Sequence, residues 1–264
     1  MDESREVGEI MAGQVVLITG GAGGVGSSLA RRLVGRGDSV ALFGRRAEAV
    51  EGLAAELGES AFAVPGDAGK VEDLERAVEA AIGRLGRLDG LAHCVGSIRL
   101  KPLHLTTPEE FAETLHVNLT TAFLATRAAL GPMRGQGAGS IVLVSTVAAR
   151  QGLNNHETIA AAKGAIEGMV RSAAMTYARQ GVRINAVAPG LTETPLAAPL
   201  LRVEASRAFS EALHPLGRLG RPDDIASAIA FLLGPESSWI TGQVLGVDGG
   251  LGAGQAPPRP VARS

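Results

Sequence analysis

The sequence predicts an α/β fold, a doubly wound parallel sheet with helices on both faces, and three observations predict it. Short apolar, β-branched runs alternate with longer Ala/Leu/Arg segments along nearly the whole chain. The short runs are continuously apolar, as strands buried on both faces are. The first of them runs into a glycine-rich turn that opens a helical segment. Such alternation builds a parallel sheet, because parallel neighbours need a crossover long enough to hold a helix.

Taken in order, residues 15–18 form the first strand, and residues 27–35 a helix with Leu29, Ala30, Leu33 and Val34 in one stripe. Strands follow at 39–43 and 61–64, separated by a helix at 47–57. A helix at 71–84 places Leu74, Val78 and Ala81 on one side, and strands at 88–95 and 141–145 flank a helix over 108–130. A long helix at 155–180, a strand at 183–188, a helix at 222–233 and a strand at 243–247 complete the series. No repeat or interior linker interrupts it. The expected organisation is an N-terminal extension at 1–12, a single domain at 13–251 and a flexible C-terminal tail at 252–264 carrying Pro257, Pro258 and Pro260.

The bulk numbers exclude several classes. At 264 residues, 45% hydrophobic and 20% charged, the chain matches an ordinary globular domain and not a disordered one. A net charge of -2 and an aromatic content of 3% argue against nucleic acid and acidic membrane surfaces. The lone Cys94 excludes an internal disulfide framework. His93, His104, His116 and His214 show no metal-ligand spacing, so no metal is expected. No apolar run of about 18 residues could span a bilayer. Residues 1–11 lack the basic-then-apolar pattern of a secretion signal, so the cytoplasm is the expected compartment.

The segment Thr19-Gly20-Gly21-Ala22-Gly23-Gly24-Val25-Gly26 carries the first chemistry. Glycines between a first strand and a first helix let backbone N–H groups approach a pyrophosphate at the helix N-terminus. An acidic residue about twenty positions on would bind a ribose 2′-hydroxyl. Here the second strand ends Phe43-Gly44-Arg45-Arg46, without a carboxylate. A guanidinium matches a 2′-phosphate, so NADP(H) is the expected cofactor over NAD(H). The plainer alternative is two solvated loop arginines.

The same segment resembles the T-G-x-x-x-G-x-G motif of the short-chain dehydrogenase/reductase family, and further matches follow in order. Asp67 stands where the family has an adenine-contacting Asp, and Arg87-Leu88-Asp89 leads the fourth strand as it does there. Asn118, in His116-Val117-Asn118-Leu119, matches the asparagine that holds a catalytic water. Val182-Arg183-Ile184-Asn185-Ala186-Val187-Ala188-Pro189-Gly190, followed by Thr194, resembles the nicotinamide-side segment. Pro215 to Arg218, Ile240 to Gly242 and Val247 to Gly250 resemble the family's closing block, so the resemblance spans about residues 12–251. It implies a Rossmann-like fold and a dinucleotide site formed by Thr19, Gly20, Gly24, Val25, Gly26, Arg45, Arg46, Asp67, Lys163, Pro189, Gly190 and Thr194. It also implies hydride transfer to a ketone or from an alcohol, and a homodimer or homotetramer.

One site departs from the family pattern. The family uses a Ser, a Tyr thirteen residues later and a Lys four residues after that. Lys163 fits the last position, which puts Ile159 at the Tyr position and Thr146 at the Ser position. The chain's one tyrosine, Tyr177, lies past Lys163. Thr146 can keep the hydroxyl role, whereas Ser145 beside it is expected to point to the other face of its strand. His93-Cys94-Val95-Gly96 replaces the usual Asn-Asn-Ala-Gly, and Cys94 reads as a small buried filler. His156, seven residues before Lys163, falls on the lysine's helical face, where related enoyl reductases carry a tyrosine. An imidazole can serve there as acid or base. A partly exposed polar residue at a helix start is the alternative. Glu157, three residues after Asn154, reads as a helix-capping residue.

Three readings follow. The first is an NADPH-dependent reductase of a small hydrophobic or cyclic carbonyl or enone, with catalytic groups Asn118, Thr146, His156 and Lys163. The second is a dehydratase, isomerase or cyclase using His156 and Thr146. The third is a catalytically silent nucleotide-binding partner subunit. Residues 192–218, rich in Ala, Leu and Pro, read either as an apolar lid or as a packed amphipathic helix.

Overall fold

The computed structural model describes residues 13–254, so the expected extension at 1–12 and the tail from 255 onward lie outside the described residues. Seven strands run parallel: β1 (Val15–Thr19), β2 (Ser39–Gly44), β3 (Ala61–Pro65), β4 (Gly90–His93), β5 (Gly139–Val144), β6 (Val182–Pro189) and β7 (Val244–Val247). Their order is β3-β2-β1-β4-β5-β6-β7. Among the described residues the α-helices are α1 (Gly24–Gly35), α2 (Ala47–Leu57), α3 (Val71–Leu85), α4 (Pro108–Leu115), α5 (Thr121–Gln136), α6 (Glu157–Tyr177), α7 (Glu204–Leu213) and α8 (Pro222–Leu233).

Alternate residues of each strand feed two cores, because successive side chains leave opposite faces of a sheet. Val16 and Ile18 of β1 pack with Leu29 and Leu33 of α1, Val50 of α2 and Ile229 of α8. Val15 and Leu17 pack on the other side with Leu74 of α3, Ala125 of α5 and Ile166 of α6. Both faces are covered, which is why the strands are apolar throughout rather than alternating.

Several elements differ from the sequence expectation, each for a local reason. The glycine loop turns straight into α1, which therefore starts at Gly24, with no polar cap to mark its beginning. The helix expected over 108–130 is three pieces, because a π turn at His116–Thr120 separates α4 from α5. α5 then runs through Pro132 to Gln136, with Met133 buried beneath it, and stops where Gly137 adopts a left-handed conformation (φ 70°). α6 begins at Glu157 with His156 as its N-cap and no side-chain cap bond, so the capping role expected of Glu157 is not realised. Asn155, at φ 63°, has already turned the chain out of helical geometry one residue earlier. A 3₁₀ turn at Leu251–Ala253, held by Gly252 N–H on Asp248 Oδ2 (3.0 Å), carries regular structure past the expected start of the tail.

The strand order locates the site. β1 is followed outward by β2 and β3, and the chain then returns to β4 on the other flank of β1. Ligands of such sheets sit where the order reverses, beyond the carboxyl ends of the strands. Loop and strand end meet closely there: a Cβ on Gly20 (φ 73°) would come within 2.9 Å of the Cys94 carbonyl carbon.

Candidate active site

The glycine loop presents bare backbone to this crevice. Gly23 is the N-cap of α1, no side chain caps the helix, and no acidic residue occupies its first turn. Its leading N–H groups and the positive end of its dipole are thus left for an anion. Gly26 allows the loop to fold back on the helix, since a Cβ there would lie 2.3 Å from Gly20 O. Gly20, Gly24, Val25 and Gly26 all line the resulting cavity. Thr19, expected with them, does not line it. It is fully buried, and its hydroxyl is engaged with His93 Nδ1 at 2.8 Å, supporting the loop from beneath.

Arg45 and Arg46 stand exposed at the end of β2, line the same cavity, and have no carboxylate partner among the described residues. Arg46 reaches back to donate to Ala22 O at 3.3 Å, which holds it over the glycine loop. Asp67 follows β3 and also lines the cavity, its Oδ1 accepting the Gly69 N–H at 2.9 Å. An uncapped helix N-terminus and a cradle that side chains would fill fit a nicotinamide dinucleotide.

At the other end of the cavity, α6 and the segment after β5 bring the candidate catalytic groups together. Lys163 is buried and donates from Nζ to Val144 O at 2.8 Å. Burial lowers its ammonium to about 8. Ile159, one helical turn earlier, is 5% exposed and forms cavity wall. Thr146 precedes a 3₁₀ turn at Val147–Ala149, and its Oγ1 accepts the Ala148 N–H at 3.3 Å. That bond uses a lone pair and leaves the hydroxyl proton free to donate. Ser145 lies past the end of β5, not within it, and its hydroxyl donates to Glu167 Oε1 at 2.9 Å. Arg150 closes the other side of that buried carboxylate at 2.8 Å.

Asn118 sits inside the π turn, fully buried. Its Oδ1 accepts the Ser97 N–H at 3.0 Å, and its Nδ2 donates to Ser97 Oγ and Thr114 O. A π turn is the kind of irregularity that re-aims a side chain at a functional site. His156 lines the cavity from the start of α6, and its Nδ1–H donates to Asn154 O at 2.7 Å. Nε2 then has no protein partner among the described residues. Burial pushes the Cys94 thiol up to about 12, which disfavours the thiolate at neutral pH.

Two buried histidine contacts were not anticipated from the sequence. His93 spans β1 and α5, its Nε2 meeting Thr121 Oγ1 at 3.2 Å; the altered His93-Cys94-Val95-Gly96 segment was the available signal. His214 is buried between the segment after β6 and the end of α7. No local pattern marks it.

The glycine loop, Arg45, Arg46, Asp67, Asn118, Thr146, His156 and Lys163 share one cavity of about 1440 Å³. The family model described as Enoyl-(Acyl carrier protein) reductase matches residues 20–252. A short-chain type dehydrogenase/reductase structure from Mycobacterium ulcerans superposes with a TM-score of 0.87 at 31% identity, covering 92% of this chain and 91% of that one. The chain belongs to the short-chain dehydrogenase/reductase family, a family of oxidoreductases. It is similar to another member, the 3-ketoacyl-(acyl-carrier-protein) reductase from Brucella melitensis complexed with NADH (TM-score 0.85, 33% identity, 91% and 98% covered). It is also 38% identical to the cis-4-hydroxycyclohexanecarboxylate dehydrogenase of Sinomonas cyclohexanicum, over 94% of this chain and all of that one. In this short-chain dehydrogenase/reductase, Leu153, Leu191, Leu196, Leu200, Phe209 and Leu213 wall the end of the cavity away from Arg45. Lys163 is the one lysine, arginine or acidic side chain at that end among the described residues.

Proposed function

We propose that the protein is an NADPH-dependent reductase of a neutral, hydrophobic cyclic ketone or enone, with His156 supplying the proton that a tyrosine supplies elsewhere in the family. One observation carries the reading: a single cavity joins the uncapped α1 and Arg45/Arg46 to Thr146, Lys163 and His156. When bound, the dinucleotide supplies a hydride to the electrophilic carbon. Arg45 and Arg46 would hold the 2′-phosphate, Asp67 the adenine, and Pro189, Gly190 and Thr194 the nicotinamide side. Lys163, cationic below about 8, would hold the ribose. Thr146 donates a hydrogen bond to the substrate oxygen, concentrating positive charge on carbon. Protonated His156 gives its Nε2 proton to the alkoxide or enolate, while its Nδ1 bond to Asn154 O keeps the ring in place.

Substrate charge follows from the wall. The relative from Sinomonas is named for a cyclic carboxylate, but here no arginine lines the apolar end, and Lys163, the cation there, is committed to Val144 O and the ribose. An unpaired buried carboxylate is costly, so the cavity favours an uncharged ring. Assembly as a homodimer or homotetramer in the cytoplasm completes the reading, supported by apolar side chains left open on the single chain. Trp239 is 99% exposed and Met175 83%.

The test is a fluorescence titration with NADPH and NADH, followed by NADPH oxidation with cyclohexanones, cyclohexenones and their ring carboxylates. Tighter NADPH binding and turnover of the neutral rings, lost in His156→Ala, are expected. Binding without oxidation of any acceptor would turn the assignment toward non-redox chemistry, and no binding would remove it.

A further inference from the structure

We infer that His214 is a positioning residue that fastens the substrate-covering helix α7 to the backbone beside the nicotinamide site. This rests on the reductase reading for its kinetic consequence, though not for its geometry. α7 and the 3₁₀ turn before it (Ala198–Leu201) contribute Leu200, Phe209 and Leu213 to the cavity, yet none of their residues is buried. The helix therefore lies on the cavity instead of on the core, and apolar packing does not fix its position. Between Ala197 and Leu219, His214 is the one buried residue, at 3% exposure.

Both of its ring nitrogens are committed. Nδ1–H donates to Ser210 O in the last turn of α7 at 2.7 Å. Nε2 accepts the Leu191 N–H at 3.2 Å, directly after Pro189-Gly190. A carbonyl on one side and an N–H on the other allow one arrangement, the neutral ring protonated at Nδ1. The ring presses on Gly190 so closely that a Cβ there would lie 2.5 Å from Nε2. A single imidazole thus ties α7 to the strand end that Pro189 and Gly190 form. The other side-chain bond of α7 to this segment, from Arg207 to Glu193, is between partly exposed side chains and holds it weakly.

Two substitutions in the full chain separate positioning from bulk packing. His214→Phe keeps an aromatic ring and removes both bonds; His214→Gln keeps a carbonyl oxygen able to accept from Leu191. In His214→Phe the KM for the cyclic ketone is expected to rise about tenfold, the equivalent of one net hydrogen bond, with kcat and the NADPH Kd within about twofold. His214→Gln is expected to recover most of the loss. Limited trypsin digestion gives a readout that needs no turnover: cleavage after Arg202, exposed ahead of α7, should run about tenfold faster in His214→Phe and near the parent rate in His214→Gln. Unchanged KM and cleavage in His214→Phe would overturn the inference. So would parallel losses of NADPH and ketone affinity in both variants, which would mark a general packing defect. If no ketone is reduced by the parent protein, the reductase reading fails while the digestion still decides the role of His214.

Discussion

His156, Ile159 and Lys163 lie on successive turns at the start of α6 and all face one cavity, but they differ in what they can do with a proton. Ile159 can neither give nor take one, and its burial helps to desolvate the lysine beyond it. If His156 is the acid, a phenol restored one turn before Lys163 should relieve the dependence on it. Ile159→Tyr placed in the His156→Ala background is therefore expected to raise kcat at least about tenfold, the scale of a restored acid being larger still. Steady-state NADPH oxidation checks it, and a double variant as inactive as His156→Ala would sink the proposed division of labour. At this scale the sequence was informative where a residue's chemistry depends on its neighbours along the chain. Counting from Lys163 places Ile159 and Thr146 in the cavity wall. The contact of Thr19 with His93 is beyond local patterns, because the two lie 74 residues apart.

Elements were legible in their apolar rhythm and obscure at their joints. α2 and α8 match the expected bounds, because each is an amphipathic run with a clear start. The π turn at His116–Thr120 was invisible, since one extra residue in a helical turn leaves the apolar spacing nearly intact. Thr121, the residue that follows that turn, is tied to the sheet by His93, held neutral by burial that pushes it down to about 3. In the unfolded chain an imidazole takes a proton below about 6.5, so the unfolded state binds more protons as pH falls from there. The stability that His93 contributes is present above about 6.5 and is lost progressively as pH falls toward about 3. At about 1.4 kcal/mol per unit the full loss is on the order of 5 kcal/mol. His93→Asn removes the proton uptake along with the two threonine contacts. Urea unfolding at a series of pH values should show the variant about 1–2 kcal/mol less stable at pH 7, with a shallower fall between pH 6.5 and 4. Parallel curves for the two proteins would contradict the buried neutral imidazole.

Across the whole molecule, two packed layers make the sheet rigid while the cavity above it is roofed by a helix with no buried residue. The layers were readable because strand and helix periods repeat along the sequence; the roof was left between two readings because its leucines and Phe209 face space, not protein. A molecule built this way gains stability from what fills the cavity. At a hundredfold excess over Kd, a ligand that binds only the folded state adds about 2.7 kcal/mol. For a chain of this size that is a rise in Tm of about 5–10 °C. NADPH is expected to produce it at neutral pH, and NADH a smaller rise at equal concentration, because Arg45 and Arg46 then lack a 2′-phosphate to pair. The NADPH effect should shrink as pH passes through about 8, where Lys163 loses the charge that holds the ribose. The arginines keep theirs, so preference for NADPH should survive while affinity for both cofactors falls together. Differential scanning at pH 7 and pH 9 with each cofactor separates the two contributions. An NADPH rise that is the same at both values would show that Lys163 does not act through its charge, and equal rises with NADPH and NADH would remove the arginines from the cofactor site.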